Sequence, residues 1–297
     1  MRAKVVSQVR HRDGELLRKI PLESPFVVYI EPSGRCNLRC SFCPQSLEDP
    51  TVRKDIMSMR TWTKAIYDMS KFPQKTKVLR VCGNGETLLN PAIVEMLWYA
   101  WIKGVAVTTE LVTNGTLLSH RDASTIAHYV NRIVVSVYGT DISDKVRMLY
   151  HNRGDCTIHV KAVAGINRDG LYKTYGDICD EIYIENAVPM WPRFAGAPDP
   201  NSFRYGGELI PRRVCSQIFK GFQIQADGEV VPCCVDWRRV NVIGNVNDQS
   251  LLDIWNGEKL RRLQQEHLKG NKDGVEPCRA CRMNDYCDID NIDGVLG

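Results

Sequence analysis

Up to about residue 185, short apolar runs alternate with segments whose apolar residues follow a helical spacing of three and four. The two patterns predict a βα alternation. We expect helices at Thr61–Lys71 and Pro91–Lys103, the second closed by Gly104 in a position typical of a helix C-cap. The predicted strands are Phe26–Ile30, Lys77–Cys82, Val105–Leu111, Arg132–Val137, Thr157–Val163 and Glu181–Glu185. This order favours an α/β fold with a parallel sheet, either open and doubly wound or a partial barrel, and ligands of such folds bind at the carboxyl ends of the strands.

The C-terminal third has a different pattern, which predicts a small α+β domain. Residues 221–231 alternate around Asp227-Gly228, as expected of a β-hairpin. Ser250 to Asp253 is typical of a capping box, and the helical pattern that it opens is interrupted at Asn256-Gly257. The expected organisation is an arm at 1–24, a barrel at 25–190, a linker at 191–214 and a second domain at 215–297.

Composition limits the possible classes of protein without identifying one. The net charge of +4 is too small to indicate nucleic-acid binding, and no run approaches the roughly 20 apolar residues of a membrane span. The first twenty residues contain several basic side chains but no apolar core typical of a signal peptide, so we expect a cytoplasmic protein. Twelve cysteines in 297 residues do not indicate a small disulfide scaffold, and metal binding fits better.

The most informative motif follows the first predicted strand. Cys36, Cys40 and Cys43 form the pattern CxxxCxxC. Three thiolates on one loop can hold three corners of a cubane iron–sulfur cluster and leave the fourth iron open, which favours catalysis over simple electron transfer. Half of a structural zinc site is the alternative.

Two glycine-containing loops occupy the equivalent position after the next two strands. They are Gly83-Asn84-Gly85-Glu86 and Thr113-Asn114-Gly115. Glycines allow the backbone to approach a ligand closely, although each loop taken alone is typical of an ordinary βα turn.

Together, Cys36-x3-Cys40-x2-Cys43, GNGETLLNP and TNGTLL resemble the radical S-adenosylmethionine (SAM) superfamily over the first 190 residues or so. The resemblance implies a partial (β/α)6 barrel, a [4Fe–4S] cluster on Cys36, Cys40 and Cys43, and cleavage of SAM to a 5′-deoxyadenosyl radical. It also implies an electron donor such as flavodoxin or ferredoxin. The residues that it places near SAM are Phe42, Gly83, Asn84, Gly85, Glu86, Asn114 and Ser136.

A second set of cysteines lies in the C-terminal third. Cys215 and Cys233 form the pattern Cx12Gx4C, and Cys278 and Cys281 form a CxxC that Cys287 follows after five residues. The hairpin pair and the CxxC present two pairs of thiolates, which predicts a four-ligand metal site for zinc or a cluster. In combination with the barrel, these patterns resemble SPASM/twitch extensions. The resemblance implies one auxiliary [4Fe–4S] cluster on Cys215, Cys233, Cys278 and Cys281, with Cys287 or Cys234 as alternative ligands.

The resemblance to twitch dehydrogenases implies a two-electron oxidation of a polar small molecule such as a sugar, cyclitol or nucleotide, with the auxiliary cluster as electron acceptor. A peptide-modifying maturase and a radical isomerase or epimerase that acts on a nucleotide or nucleic-acid base are alternatives. A non-catalytic iron–sulfur or zinc protein is the alternative from another class. Cys82, Arg80 and Tyr138 are candidate catalytic or substrate-binding residues, because they lie at or near the ends of predicted strands.

Overall fold

The computed structural model describes residues 2–5, 15–46, 49–163, 167–185, 212–281 and 290–296. Its strands are β1 Lys4–Val5, β2 Val27–Ile30, β3 Thr76–Val81, β4 Ala106–Thr113, β5 Arg132–Val137, β6 Thr157–Val163, β7 Glu181–Glu185, β8 Gly221–Ile224, β9 Glu229–Val231 and β10 Gly244–Asn245. Its helices are α1 Glu15–Lys19, α2 Met59–Met69, α3 Ile93–Lys103, α4 His120–Tyr129, α5 Ser143–His151, α6 Arg168–Tyr175, α7 Gln217–Lys220, α8 Leu251–Trp255 and α9 Glu258–Leu268.

The sheet is continuous and mostly parallel, in the order β1-β7-β6-β5-β4-β3-β2-β8-β9-β10. Strands β2 to β7 are the βα repeat that the sequence predicts, and each pairs in parallel with its neighbour. The predicted α/β class with a partial barrel is therefore confirmed. All six strands end at the same edge of the sheet, where the cysteine loop and the glycine loops follow them.

Local sequence signals explain where the helices begin and end. Ser58 caps α2 by accepting a hydrogen bond from the backbone N–H of Thr61. Gly104 ends α3 in the left-handed conformation, with φ of 54°, which a residue with a side chain rarely adopts. Pro91, placed by the sequence pattern in the first turn of α3, lies just before it, with Ala92 as the N-cap residue.

The helices bury one face of the sheet, and the opposite face carries polar residues. Leu79 and Val81 of β3 are fully buried in a core that includes Trp62 of α2 and Leu97 of α3. Alternation along β3 puts Arg80 and Cys82 on the other face, which we call the inner face. The side chain of Arg80 remains 35% exposed there, so the inner face is not a closed apolar core.

The C-terminal segment extends the same sheet. The hairpin that the sequence predicts forms from β8 and β9, with Gly228 at φ of 92° in its turn. Strand β8 also pairs in parallel with β2, in the register Val27↔Gly221 and Ile30↔Ile224. The sequence pattern does not predict this pairing, which connects the two cysteine-rich regions through one sheet.

On the helix-covered face of the sheet, aromatic side chains of the barrel also contact those of the C-terminal segment. Phe222 of β8 is 1% exposed and lies 6.5 Å from the ring of Phe72 and 5.9 Å from that of Trp255. Trp255 donates from Nε1 to the carbonyl of Leu22, near the start of the barrel.

The expected boundary at 190/191 and most of the linker at 191–214 lie outside the described residues. Among the described helices, none has both the length and the apolar character needed to cross a membrane.

Candidate active site and auxiliary metal centre

The loop after β2 brings Cys36, Cys40 and Cys43 together at the carboxyl end of the sheet. The N–H of Cys43 donates to the carbonyl of Cys40 at 2.9 Å, and all three thiols are half-buried. Burial raises the pKa of each, that of Cys43 to about 12, and the neighbouring thiols raise the pKa of Cys40 and Cys43 further. A bound cation would relieve the repulsion between three thiolates, so this donor set fits an iron–sulfur cluster.

The cysteine loop is fixed from both sides. Before Cys36, the N–H of Gly34 donates to the carbonyl of Asp55, and Arg35 donates from Nε to the carbonyl of Lys54. After Cys43, the buried Gln45 donates from Nε2 to the carbonyl of Gly34 at 2.8 Å. These bonds hold the three thiols in a defined place without using the thiols themselves.

The GNGE loop packs directly against the cysteine loop. A Cβ added at Gly85 would lie 2.1 Å from the carbonyl oxygen of Ser33, so only glycine fits there without a shift of the backbone. The N–H of Glu86 donates to the carbonyl of Arg35 at 2.7 Å. The loop that is expected to meet SAM therefore lies beside Cys36, as its place after β3 predicts.

The side chain of Glu86 is turned into the protein. It is 3% exposed, and its carboxylate accepts hydrogen bonds from Thr113 Oγ1, the N–H of Asn114 and the N–H of Leu88. This carboxylate therefore connects the GNGE loop to the TNG loop.

Asn114 lies beside the first cysteine in a small polar network. Its Nδ2 donates to Asn37 Oδ1 at 2.9 Å and lies 4.0 Å from Cys36 Sγ. Its Oδ1 accepts from the N–H and the hydroxyl of Thr116, and Thr116 Oγ1 accepts from Asn37 Nδ2. The loops after β2 and β4 are thus joined next to Cys36.

An aromatic pair covers the other side of the cysteine loop. Phe42 and Tyr138 pack edge to face, with ring centroids 4.9 Å apart. Lys161 of β6 lies 5.8 Å above the ring of Tyr138, and its partner in the register of the sheet is Ser136. Phe42 and Ser136, two of the residues that the resemblance implies near SAM, are thus connected through Tyr138 and Lys161.

A charged row crosses the inner face below these loops. Arg80 pairs with Glu110 at 2.5 Å, and Arg132 pairs with the other carboxylate oxygen at 3.1 Å. The three residues are neighbours in register on β3, β4 and β5. Glu110 is 2% exposed, and the two guanidinium groups keep its pKa low although burial acts against this.

Cys82 occupies the level above this row, on the side that faces the C-terminal segment. Burial raises its pKa to about 12, and the thiol of Cys234 contributes in the same direction. Tyr29 of β2 is close to both thiols, which help to raise its pKa, and lies 5.6 Å from the Arg80 guanidinium. Cys82, Tyr29 and Cys234 therefore lie close together, where β2 and β3 meet the C-terminal segment.

The second cysteine set surrounds a cavity of about 500 Å³, measured with its mouth. Cys215, Cys233, Cys278 and Cys281 all line it, among mostly apolar neighbours. The pKa of Cys278 is raised by burial and then by Cys215 and Cys281. Four thiolates are soft ligands, and such a set fits either an iron–sulfur cluster or a tetrahedral zinc ion.

The two alternative ligands differ in position from these four. Cys234 is not among the residues that line the cavity, although its thiol contacts that of Cys233 and also lies near Tyr29 and Cys82. Cys287 lies outside the described residues.

Sequence reasoning missed Glu31, which is 1% exposed just after β2. Its carboxylate accepts from the N–H of Asn84 at 2.5 Å and from the N–H of Ala226 in the β8–β9 hairpin. Burial raises its pKa to about 7. A lone glutamate after a predicted strand gives little signal, and its role depends on the pairing of β2 with β8, which the sequence does not predict.

Comparisons with known proteins find family models that match both cysteine-containing parts of the chain. The family model described as the radical SAM superfamily matches residues 30–170, and the SPASM model, described as an iron-sulfur cluster-binding domain, matches residues 215–282. The chain is 25% identical, over 88% of its own length and 88% of the relative, to the tungsten-containing aldehyde ferredoxin oxidoreductase cofactor-modifying protein of Pyrococcus furiosus.

Solved structures share the fold at low identity. BtrN in complex with AdoMet and 2-DOIA matches with a TM-score of 0.64 and 16% identity, over 86% of this chain and 92% of BtrN. Streptococcus suis SuiB bound to S-adenosylmethionine matches with a TM-score of 0.65 and 15% identity, over 92% of this chain and 74% of SuiB.

Proposed function

Because this chain belongs to the radical SAM superfamily and carries a SPASM domain, we propose that it oxidises a polar small molecule by two electrons. The family implies a [4Fe–4S] cluster with SAM and an auxiliary iron–sulfur site. The observation that carries the proposal is that one continuous sheet joins the two cysteine sites. Three thiols follow β2, and four thiols line a cavity in the segment that contains β8 and β9, which pairs with β2.

The proposed first site uses residues of three loops. Cys36, Cys40 and Cys43 would hold the cluster, and the backbone of Gly83 to Gly85 would receive the methionyl part of SAM. Phe42 would pack near the adenine, with Asn114 and Ser136 as further contacts. When bound, the cluster and SAM supply a 5′-deoxyadenosyl radical that removes a hydrogen atom from substrate.

Cys215, Cys233, Cys278 and Cys281 would hold the auxiliary cluster. All four line one cavity, whereas Cys234 lies outside it, which supports Cys233 as the ligand of that adjacent pair. A closed four-thiolate site leaves no position for SAM, which favours electron transfer. The oxidation balances if one hydrogen atom leaves to the radical, one electron to this cluster and one proton to solvent.

The composition of the inner face supports a polar substrate. Arg80, Glu110 and Arg132 form a charged row there, and Tyr29 and Lys161 project from the same face by strand alternation. A charged, partly accessible surface of this kind favours a substrate with hydroxyl or anionic groups over an apolar one.

The relative from Pyrococcus furiosus supports a second candidate within the same chemistry. Its printed name describes a cofactor-modifying protein, and it matches this chain over most of both lengths. We therefore propose modification of a polar enzyme cofactor as the second candidate function. Peptide modification and radical isomerisation are the competing outcomes of the substrate experiment below.

The first experiment tests the radical chemistry. The full-length protein is reconstituted anaerobically with iron and sulfide, reduced and supplied with SAM, and 5′-deoxyadenosine is measured. We expect formation in the wild type and in Cys179→Ala, a buried cysteine away from the loop, but none in the triple variant Cys36→Ala/Cys40→Ala/Cys43→Ala. Unchanged formation by the triple variant would refute the assignment.

The second experiment tests the substrate class. An extract of the producing cells is divided by ultrafiltration into a small-molecule and a macromolecular fraction, and each is added to the reduced enzyme. We expect only the small-molecule fraction to raise 5′-deoxyadenosine formation and to yield a product two hydrogens lighter than its precursor. Stimulation by the macromolecular fraction would instead favour peptide modification, and a product of unchanged mass would favour radical isomerisation.

A further inference from the structure

Two charged side chains line the auxiliary cavity together with the four thiols. They are Lys272 and Asp236, and the rest of the described lining is thiol, apolar or amide. A charge in this position is close to any group that the four cysteines hold. In surroundings of low dielectric constant, such a charge acts more strongly than it would in water.

Lys272 is fixed at the cavity by the chain segment that carries two of the proposed ligands. Its Nζ donates to the carbonyl oxygen of Cys281 at 3.3 Å, and its residue lies in the 3-10 turn that precedes Cys278. Lys272 also lines the same cavity as Cys278 and Cys281. The ammonium group is therefore near this side of the four-thiol site.

Asp236 lies three residues after Cys233, a proposed ligand from a different segment of the chain. Its two carboxylate oxygens accept hydrogen bonds from the N–H of Val240 at 2.9 Å and the N–H of Asn241 at 2.7 Å. It is 2% exposed and lines the same cavity as Lys272, so side chains of opposite charge border the four-thiol site. Both charges are thus held by hydrogen bonds to the backbone.

We propose that Lys272 raises the reduction potential of the auxiliary cluster and that Asp236 lowers it, so that this pair tunes the cluster as an electron acceptor. The inference rests on the proposed function, which places the cluster in this cavity. Reduction adds one electron to the cluster and makes it more negative. A nearby cation stabilises the reduced form, and a nearby anion destabilises it.

The test is a potentiometric titration of the fully reconstituted, full-length protein, followed by electron paramagnetic resonance. We expect the auxiliary midpoint potential to become more negative in Lys272→Gln, to stay near the wild-type value in Lys272→Arg and to become more positive in Asp236→Asn. Lys269→Gln is the matched control, because Lys269 is 67% exposed and pairs with Glu266 outside the cavity. The midpoint of the Cys36/Cys40/Cys43 cluster should remain unchanged throughout.

The opposite signs separate electrostatic tuning from structural damage, since a merely disturbed site would not shift in two directions. If the Lys272→Gln variant binds too little iron for a titration, the expected positive shift of the midpoint potential in Asp236→Asn still tests the proposal. Equal midpoints in a wild type and variants that each bind about eight iron atoms would overturn this inference alone. A wild type that binds only about four would overturn the auxiliary cluster and this inference together.

Discussion

At the scale of single residues, two buried carboxylates connect the loops around the first cysteine site. Glu86 joins the GNGE loop to the TNG loop, and Glu31 joins the GNGE loop to the β8–β9 hairpin. Neither carboxylate is exposed by more than 3%. Both therefore act on the site through the backbone N–H groups that they hold, and their loss should change the shape of the site as well as its charge.

Replacing Glu86 with alanine should impair SAM cleavage. The change leaves the N–H of Asn114 and the hydroxyl of Thr113 without their acceptor in a buried place, at about 1–3 kcal/mol each. We expect 5′-deoxyadenosine formation to fall at least about tenfold, in proportion to a loss of about 1.4 kcal/mol or more. Glu95→Ala, an exposed change in the first turn of α3, is the control and should leave the rate unaltered. A normal rate in Glu86→Ala would show that the TNG loop needs no such connection.

Glu31 should make stability depend on pH near neutrality. Its folded pKa of about 7 lies above the ordinary value of 4.5, so the folded protein binds the proton more tightly than the unfolded chain. This group therefore favours folding at low pH, and its contribution is lost as the pH rises towards about 7. Between about pH 6 and pH 8 the change is about 1 kcal/mol. Arg239, Asp227 and Arg53 are the charged groups around it, and Arg239 acts against the shift.

The measurement compares wild type with Glu31→Gln by anaerobic unfolding in denaturant over that pH range. We expect the stability of the wild type relative to the variant to decrease as the pH rises. Glu95→Gln should follow the wild type at every pH, because Glu95 is exposed. Parallel pH profiles for wild type and Glu31→Gln would mean that Glu31 does not titrate in this range.

At the scale of elements, the sequence predicts strands of the barrel and the hairpin of its extension, but not the strand pairing that joins the two. Arg132–Val137, Thr157–Val163 and Glu181–Glu185 are strands with the predicted bounds, because buried parallel strands are short apolar runs between clear turn signals. The helix start predicted at Ser250 is also present: Ser250 Oγ accepts from the N–H of Asp253 and donates to the Asp253 carboxylate. The β2–β8 pair joins segments almost 200 residues apart, and no local spacing encodes such a contact.

The same limit applies to the site. The cysteines and glycines are visible in the sequence because their spacing is local, and their placement at one edge follows from the βα order. The inward turn of Glu86 and the position of Cys233 rather than Cys234 on the cavity depend on packing between distant segments. These features therefore require three-dimensional information.

Gly221→Ala should weaken the junction between β2 and β8. A Cβ at this position would lie 1.8 Å from the carbonyl oxygen of Val27, and the backbone of β2 cannot move away without losing its pairing with β3. The φ of Gly221 is 177°, so the penalty is steric rather than conformational. We expect a loss of about 3 kcal/mol or more in the free energy of unfolding, with faster amide hydrogen exchange in Val27–Ile30.

Gly170→Ala is the matched control. Its nearest neighbours are side-chain atoms of Asn167 at 3.4 Å, and it lies inside α6, where alanine is favoured over glycine by up to about 1 kcal/mol. Equal stability of the two variants would show that β2 and β8 tolerate a wider separation than the register implies.

At the scale of the whole molecule, one sheet relates the two cysteine sites. Strand β2 leads into Cys36, Cys40 and Cys43, and β8 and β9 lie between Cys215 and Cys233. The hairpin turn is further fixed to the segment after the cysteine loop by Asp227, which pairs with Arg53 at 2.8 Å. A shift of one site relative to the other would have to break strand pairing, so substrate would meet both sites in a fixed geometry.

Removing one proposed auxiliary ligand should therefore separate the two halves of the reaction. In Cys278→Ser we expect the iron content to fall by about four atoms per chain, while 5′-deoxyadenosine still forms because the first site keeps its own three thiols. Formation of the oxidised product should fall to background, since the substrate-derived electron loses its acceptor. Cys156→Ala is the control: this cysteine is 3% exposed, lies at the start of β6 away from both sites, and should leave iron and product unchanged. A Cys278→Ser protein that keeps all its iron would exclude this ligand, and one that loses iron but still oxidises substrate would assign the electron to another acceptor.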